Sequence, residues 1–287
     1  MSTKSQQQRF IGSASEPQRE IIQLLTTIAQ SKGLTRVWAD WVEISAVALA
    51  NAVDKNQYEQ RERRYLEVIA QYAKEEVHGF AKAFGLLVEC LEQCVVAGEL
   101  GDVLGTIFMG MNMGESRSGQ FFTPYEVSRL MSEMILGSPM AISDRLGDKG
   151  FLSIQEPACG AGGMAIALAH TLMDEGYNYQ EVLHVTAIDI DLRCVHMTYL
   201  QLALLHVPAV VIHGDALAGR IRGKWYTPAH ILGGWPLKLA QEYKSSSKTE
   251  SSDKGEVPVH ELPTGADEEN SAQTIELTGR AGQISLF

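Results

Sequence analysis

The sequence has little of several things, and each scarcity excludes a class. Four cysteines in 287 residues are too few for a disulfide framework and point to a reducing, cytoplasmic setting. Long apolar runs are missing. The most apolar stretch, Ile44 to Val53, is interrupted by Ser45 and Asn51 and falls far short of the about 20 residues needed to span a bilayer, so no membrane partner is expected. The polar start, MSTKSQQQRF, lacks the apolar core of a secretory leader. Basic charge is scarce as well: 24 Lys and Arg against 35 Asp and Glu give −11. A chain that grips DNA by its phosphates wants a basic surface, so DNA contact is expected to be weak alone and to run through partner subunits.

What is present divides into four parts. Residues 1–15 are polar and expected to be frayed. Residues 16–118 read as helical, with three-and-four spacing at Ile21, Ile22, Leu24, Leu25 and Ile28. No proline interrupts them between Pro17 and Pro124. Within 119–240 short β-rich runs (Phe151–Gln155, Val182–Ile188 and Ala209–Ile212) alternate with helical stretches at Gly163–Glu175 and Leu192–Leu205. That order predicts an α/β fold with parallel strand–helix–strand units. Residues 241–287 are poor in apolar groups and rich in Ser and acid, the composition of a disordered tail.

The sharpest chemical signal is Glu156-Pro157-Ala158-Cys159-Gly160-Ala161-Gly162-Gly163, set between a predicted strand and a predicted helix. Glycines there permit a tight turn and close approach of a ligand to backbone, and the helix start offers free N–H groups. A dinucleotide loop would read G-x-G-x-x-G with an acid about 20 residues on. Here the third glycine comes one position early, and the next strand-end acid is Asp189. Other constellations read as ordinary structure. Cys90 and Cys94 have no histidine at ligand spacing, so no metal site is expected. Trp38 and Trp41 read as core, and Arg61, Arg63 and Arg64 as a solvated helix face.

EPACGAGG resembles the S-adenosylmethionine loop of the adenine-specific, amino-directed DNA methyltransferases, above all the modification subunit of type I restriction systems. Three further segments resemble that family in its own order: Gly119-Gln120-Phe121-Phe122-Thr123-Pro124, Ala187-Ile188-Asp189-Ile190-Asp191, and His213-Gly214-Asp215-Ala216-Leu217. The resemblance implies a partial Rossmann-like methyltransferase domain over 119–240, behind a helical N-terminal region at 16–118. It implies S-adenosylmethionine held by Gln120, Phe121, Phe122, Thr123, Pro124, Glu156, Pro157, Ala158, Cys159, Gly160, Gly162, Asp189, Ile190 and Asp215. In these roles Asp189 would accept from the ribose hydroxyls, Ile190 would lie on the adenine, and Asp215 would accept from its amine. Phe121 and Phe122 would shield the sulfonium.

The family's catalytic Asn/Asp-Pro-Pro-Phe/Tyr occurs nowhere in these 287 residues. By spacing, its place falls at Gly234-Trp235-Pro236-Leu237, after a predicted fourth strand at Ala229–Leu232 in the family order 3-2-1-4. Two functions follow as expectations. One is a DNA adenine N6-methyltransferase of a restriction-modification or anti-restriction system. The other is an inactive homologue that binds, regulates or decoys a methyltransferase, a specificity subunit or a replication complex. The last five residues, Gln283-Ile284-Ser285-Leu286-Phe287, resemble the peptide by which bacterial proteins dock on the DNA sliding clamp, which would make the clamp a partner.

Overall fold

The computed structural model describes residues 4–114, 121–242 and 283–285. Six helices precede the glycine loop's domain: α1 (Lys4–Ser13), α2 (Glu16–Ile28), α3 (Leu34–Val53), α4 (Tyr58–Ile69), α5 (Lys74–Ala97) and α6 (Val103–Gly110). The start of the chain is thus helical from Lys4, where frayed chain was expected. The second helix begins where its sequence dictates. Ser15 accepts from the Gln18 amide while the Gln18 side chain accepts from the Ser15 amide, a reciprocal cap with Pro17 in the first turn.

Next come α7 (Tyr125–Leu136), α8 (Pro139–Leu146), β1 (Leu152–Glu156), α9 (Gly163–Asp174), α10 (Tyr179–Val182), β2 (Leu183–Asp189), α11 (Leu192–Leu204), β3 (Ala209–Asp215), β4 (Arg220–Tyr226), α12 (Pro228–Leu232) and β5 (Gln283–Ser285). Among the described residues the sheet order is β4-β3-β2-β1-β5. β1, β2 and β3 pair in parallel as the alternation of strands and helices predicts. Helix α11 packs on β2 and β3 and carries α3 on its outer side. Trp38 and Trp41 of α3 lie edge to face at 5.3 Å within the core; Trp38 donates to the sulfur of Met197 on α11.

Two predicted features are corrected. Ala229–Leu232 is not a strand but most of α12. Thr227 caps it by accepting from the His230 amide, and Pro228 supplies the fixed φ of a first helical residue. The strand after β3 is β4, which the hydrophobic pattern did not announce, and it runs antiparallel on the outer edge of β3. Its connection is too short for a crossover. Asp215 Oδ1 accepts from the Ala218 amide at 2.9 Å, and Gly219 takes a φ of 64° that closes the turn.

The far side of β1 is paired by β5, whose register runs Ser153 to Gln283, Ile154 to Ile284 and Gln155 to Ser285. Of the tail expected to be disordered, residues 241–242 are helical and 283–285 form β5; 243–282, Leu286 and Phe287 lie outside the described residues. On the expected solvated helix face Arg63 and Arg64 are exposed, and Arg61 alone departs from it. Arg61 is buried, pairs with Asp54 at 2.9 Å and lies over Trp225, while Arg64 pairs with Glu43.

Candidate cofactor site

The site forms where β1 ends and α9 begins. Gly160 and Gly162 hold φ values of 56° and 93°, a left-handed backbone that glycine adopts without strain. The space above Gly160 is filled from outside: a Cβ there would lie 3.0 Å from the Phe122 ring. Phe122 in turn stacks on Phe108 of α6 at 5.3 Å.

The loop is stitched to the tip of β2. The Cys159 amide donates to the Ile188 carbonyl, and the Gly160 amide to Asp189 Oδ2 at 2.9 Å. Asp189 Oδ1 accepts from the Asp191 amide. Burial nonetheless raises the Asp189 carboxyl above its ordinary value, against the pull of these amides. Beside it, Ile190 is exposed and its carbonyl meets His213 Nε2 at 3.2 Å, which ties the tips of β2 and β3 together. Asp215 is occupied by its own turn and stands 3.7 Å from Arg220.

A cavity of about 100 Å³ opens in front of the loop, lined by Phe121, Phe122, Thr123, Glu156, Ala158, Cys159 and Gly160 of the predicted set. Asp102, Ser128, Ala161, Gly163 and Met164, which sequence reasoning missed, complete it. Glu156 is 2% exposed; its Oε2 has no hydrogen-bond partner, and Oε1 accepts only a long bond from the Ala158 amide. Burial above all pushes its carboxyl up to about 7, and the charge of Asp189 adds to the rise. Burial likewise raises the Cys159 thiol, which suits a packing residue rather than a nucleophile. No basic side chain stands among the described residues that line the cavity. Among the described residues no cluster of His, Cys, Asp and Glu could hold a metal, and no helix is long and apolar enough to cross a membrane.

Behind the loop sits a buried amide, Gln201. It donates to Asp102 Oδ1 at 2.7 Å and to the Ala161 carbonyl at 2.8 Å, and accepts from the Leu104 amide. Thr198, one turn earlier on α11, donates to the Gly160 carbonyl. Two polar residues three apart in the mostly apolar stretch Met197–Leu204 of α11 were the available signal. Gln120 lies outside the described residues, and Pro124 caps α7 rather than lining the cavity.

Gly234-Trp235-Pro236-Leu237, the degenerate position to which spacing assigns the missing catalytic motif, does not line this cavity. Trp235 is buried against Phe151 at 5.1 Å and His184 at 5.2 Å. Phe151 precedes β1 and His184 opens β2, so the segment lies at the entry end of the sheet. The glycine loop follows the exit end, roughly 15 Å away along the strand. The cause is β4, whose antiparallel course beside β3 returns the chain to the entry end before α12 begins, where a fourth parallel strand would have carried it forward.

Among solved structures, similarity is found to a Listeria monocytogenes protein assigned to the class I S-adenosylmethionine-dependent methyltransferases (17% identity, 71% of this chain and 55% of that one, TM-score 0.39). It is found also to a DrdV–DNA complex (16%, 75% and 24%, 0.35), and to a type I restriction-modification methyltransferase subunit of Streptococcus thermophilus (12%, 70% and 57%, 0.29). At such low TM-scores these likenesses carry no argument about the site. The chain spans little more than half of the Listeria and Streptococcus chains and about a quarter of the DrdV chain. No curated protein matches. Residues 99–222 match the family model described as N-6 DNA Methylase, and that segment runs from the approach to Asp102 through the glycine loop, Asp189 and Asp215. Over this segment, a little under half of the chain, the protein is similar to the N-6 DNA methylase family.

Proposed function

We propose that the chain binds S-adenosylmethionine and serves as the cofactor module of a DNA adenine methylation system, with the residues that hold the target base supplied from outside the described fold. The observation that carries this is the cavity itself. A glycine loop and an unpartnered buried carboxyl at Glu156 meet under an aromatic cover, and the strand-end carboxylate of Asp189, outside the cavity lining, holds the loop through the Gly160 amide. When bound, the cofactor supplies an electrophilic methyl group on a sulfonium. Asp189 can accept from two ribose hydroxyls because its amide partners leave lone pairs free, and Ile190 and Asp215 extend the ledge on which an adenine would lie. Glu156 offers its free oxygen to a cationic group, and Phe121 and Phe122 limit water at the sulfonium.

The family's Asn/Asp-Pro-Pro-Phe/Tyr, whose first side chain accepts from the amine of a flipped adenine, is absent from these 287 residues, and Gly234 has no side chain to replace it. This favours the second function, a binding partner of a methyltransferase or specificity subunit in restriction-modification or anti-restriction, over methyl transfer by this chain alone. Purified chain incubated with radiolabelled S-adenosylmethionine and mixed DNA tests both. Calorimetric binding without label in adenine is expected; robust incorporation sinks the partner reading, and absence of binding sinks the cofactor reading.

Docking of Gln283–Phe287 on a bacterial sliding clamp rests on the residue pattern. It requires that β5 leave β1, because one backbone segment cannot pair with β1 and lie in a partner's groove together.

A further inference from the structure

Asp102 lies at the starts of two helices, α6 and α9. It caps α6 through Oδ1, which accepts from the Gly105 amide at 2.8 Å and from Gln201 Nε2 at 2.7 Å. Its other oxygen lies toward α9: a Cβ on Gly163, the first residue of that helix, would stand 3.2 Å from Oδ2. The starts of two helices therefore converge on one carboxylate, which is 6% exposed. A helix start normally draws the phosphate of a nucleotide; here the protein's own carboxylate already sits against it. In the same cavity Glu156 holds an oxygen with no partner, and no described lining residue is basic. Two buried acids with no countercharge are costly alone and are compensated by a cation.

We infer that Asp102 sets the charge of the ligand, making the cavity a site for a cationic adenosine conjugate and setting it against the uncharged thioether form and against phosphate-bearing nucleotides. The inference rests on the cofactor reading above and deepens it. Burial raises the Asp102 carboxyl above its ordinary value, the cost that a bound cation would offset.

The substitution Asp102→Asn isolates charge from shape. Asparagine keeps the oxygen that accepts from Gly105 and Gln201 and exchanges only Oδ2 for an amide nitrogen. Binding of S-adenosylmethionine, sinefungin (an amine in place of the sulfonium), S-adenosylhomocysteine and ATP is measured by calorimetry on the full chain, with melting curves in parallel. Wild type is expected to bind the two cationic ligands more tightly than the thioether and ATP not detectably. In Asp102→Asn the preference for S-adenosylmethionine over S-adenosylhomocysteine should shrink on the order of tenfold with the melting curve little changed. Equal wild-type affinity for cationic and neutral ligands, or an equal loss of both in the variant, overturns the inference and leaves the cofactor reading intact. The wild-type arm decides the matter even where the variant fails to fold. Wild type that binds neither S-adenosylmethionine nor S-adenosylhomocysteine overturns both.

Discussion

The amide of Gly160 donates to Oδ2 of Asp189 at 2.9 Å, so the acid expected to hold a ribose is also the strut that fixes the glycine loop to β2. Asp189→Ala removes both functions. Loss of a charge-assisted contact costs on the order of 2–4 kcal/mol, and S-adenosylmethionine affinity should fall about 30- to 1,000-fold. Asp189→Asn keeps an acceptor for Gly160 and should retain more of the affinity than alanine does. Calorimetry on the two variants decides it, and unchanged binding in Asp189→Ala would mean that the ribose role is misassigned.

Glu156 gives the site a pH dependence with a definite sign. Its carboxyl stands near 7 in the folded chain against 4.5 ordinarily, so the native state holds the proton more tightly than the unfolded state. Stability therefore declines as pH rises from about 4.5 to about 7, by up to about 3 kcal/mol, and stays lowered above that. A cationic ligand prefers the ionised form, so S-adenosylmethionine should bind more tightly at pH 8 than at pH 6 and release a proton near neutrality. Glu156→Gln should flatten both profiles and melt higher at pH 8. Parallel slopes in wild type and variant would refute the assignment.

Trp235 distinguishes the corrected geometry from the predicted one. It fills the entry end of the sheet beside Phe151, His184 and His230, where His184 and His230 share a hydrogen bond of 2.9 Å. Burial lowers these two histidines to about 3 and about 4, with the neighbouring His230 adding to the fall at His184. Trp235→Ala should cost about 3–5 kcal/mol as a large buried aromatic is removed. Well below its lowered melting point it should bind S-adenosylmethionine as wild type does. Selective loss of affinity in a folded variant would return Gly234–Leu237 to the site.

The parts of this fold that were legible are those in which a local pattern has one physical meaning. Glycines at Gly160 and Gly162 after an apolar run announced the loop, and Asp189 at the end of a β-branched run announced the acid. Asp102 and Gln201 were illegible because they reach the loop from 60 residues before and 39 residues after Gly162, and their role exists only once α6 and α11 pack together. The error at Ala229–Leu232 is different in kind. Thr227-Pro228 is a helix start in the sequence itself, but family spacing was given more weight than the local cap. β4 was missed because its alternation, Ile221, Gly223 and Trp225, is thin in apolar groups and faces water at Arg220 and Arg222.

The last prediction concerns β5. Ile284 pairs with Ile154 in the middle of β1, on the side of the sheet opposite β4. An uncovered parallel strand edge invites foreign strands, so Gln283–Ser285 act as a cover for β1. A chain lacking residues 283–287 should then show faster amide exchange in β1 at 152–156, by about tenfold or more for a local opening made easier by roughly 1–2 kcal/mol, and more self-association at high concentration. Exchange in α3 and α11, away from that edge, should not change. If the same segment docks on a bacterial sliding clamp, adding clamp to the full chain should reproduce the faster β1 exchange, since β5 must leave to bind. Truncated and full chains exchanging alike at β1 would remove the cover. Clamp that leaves β1 protected would show that this segment does not dock there.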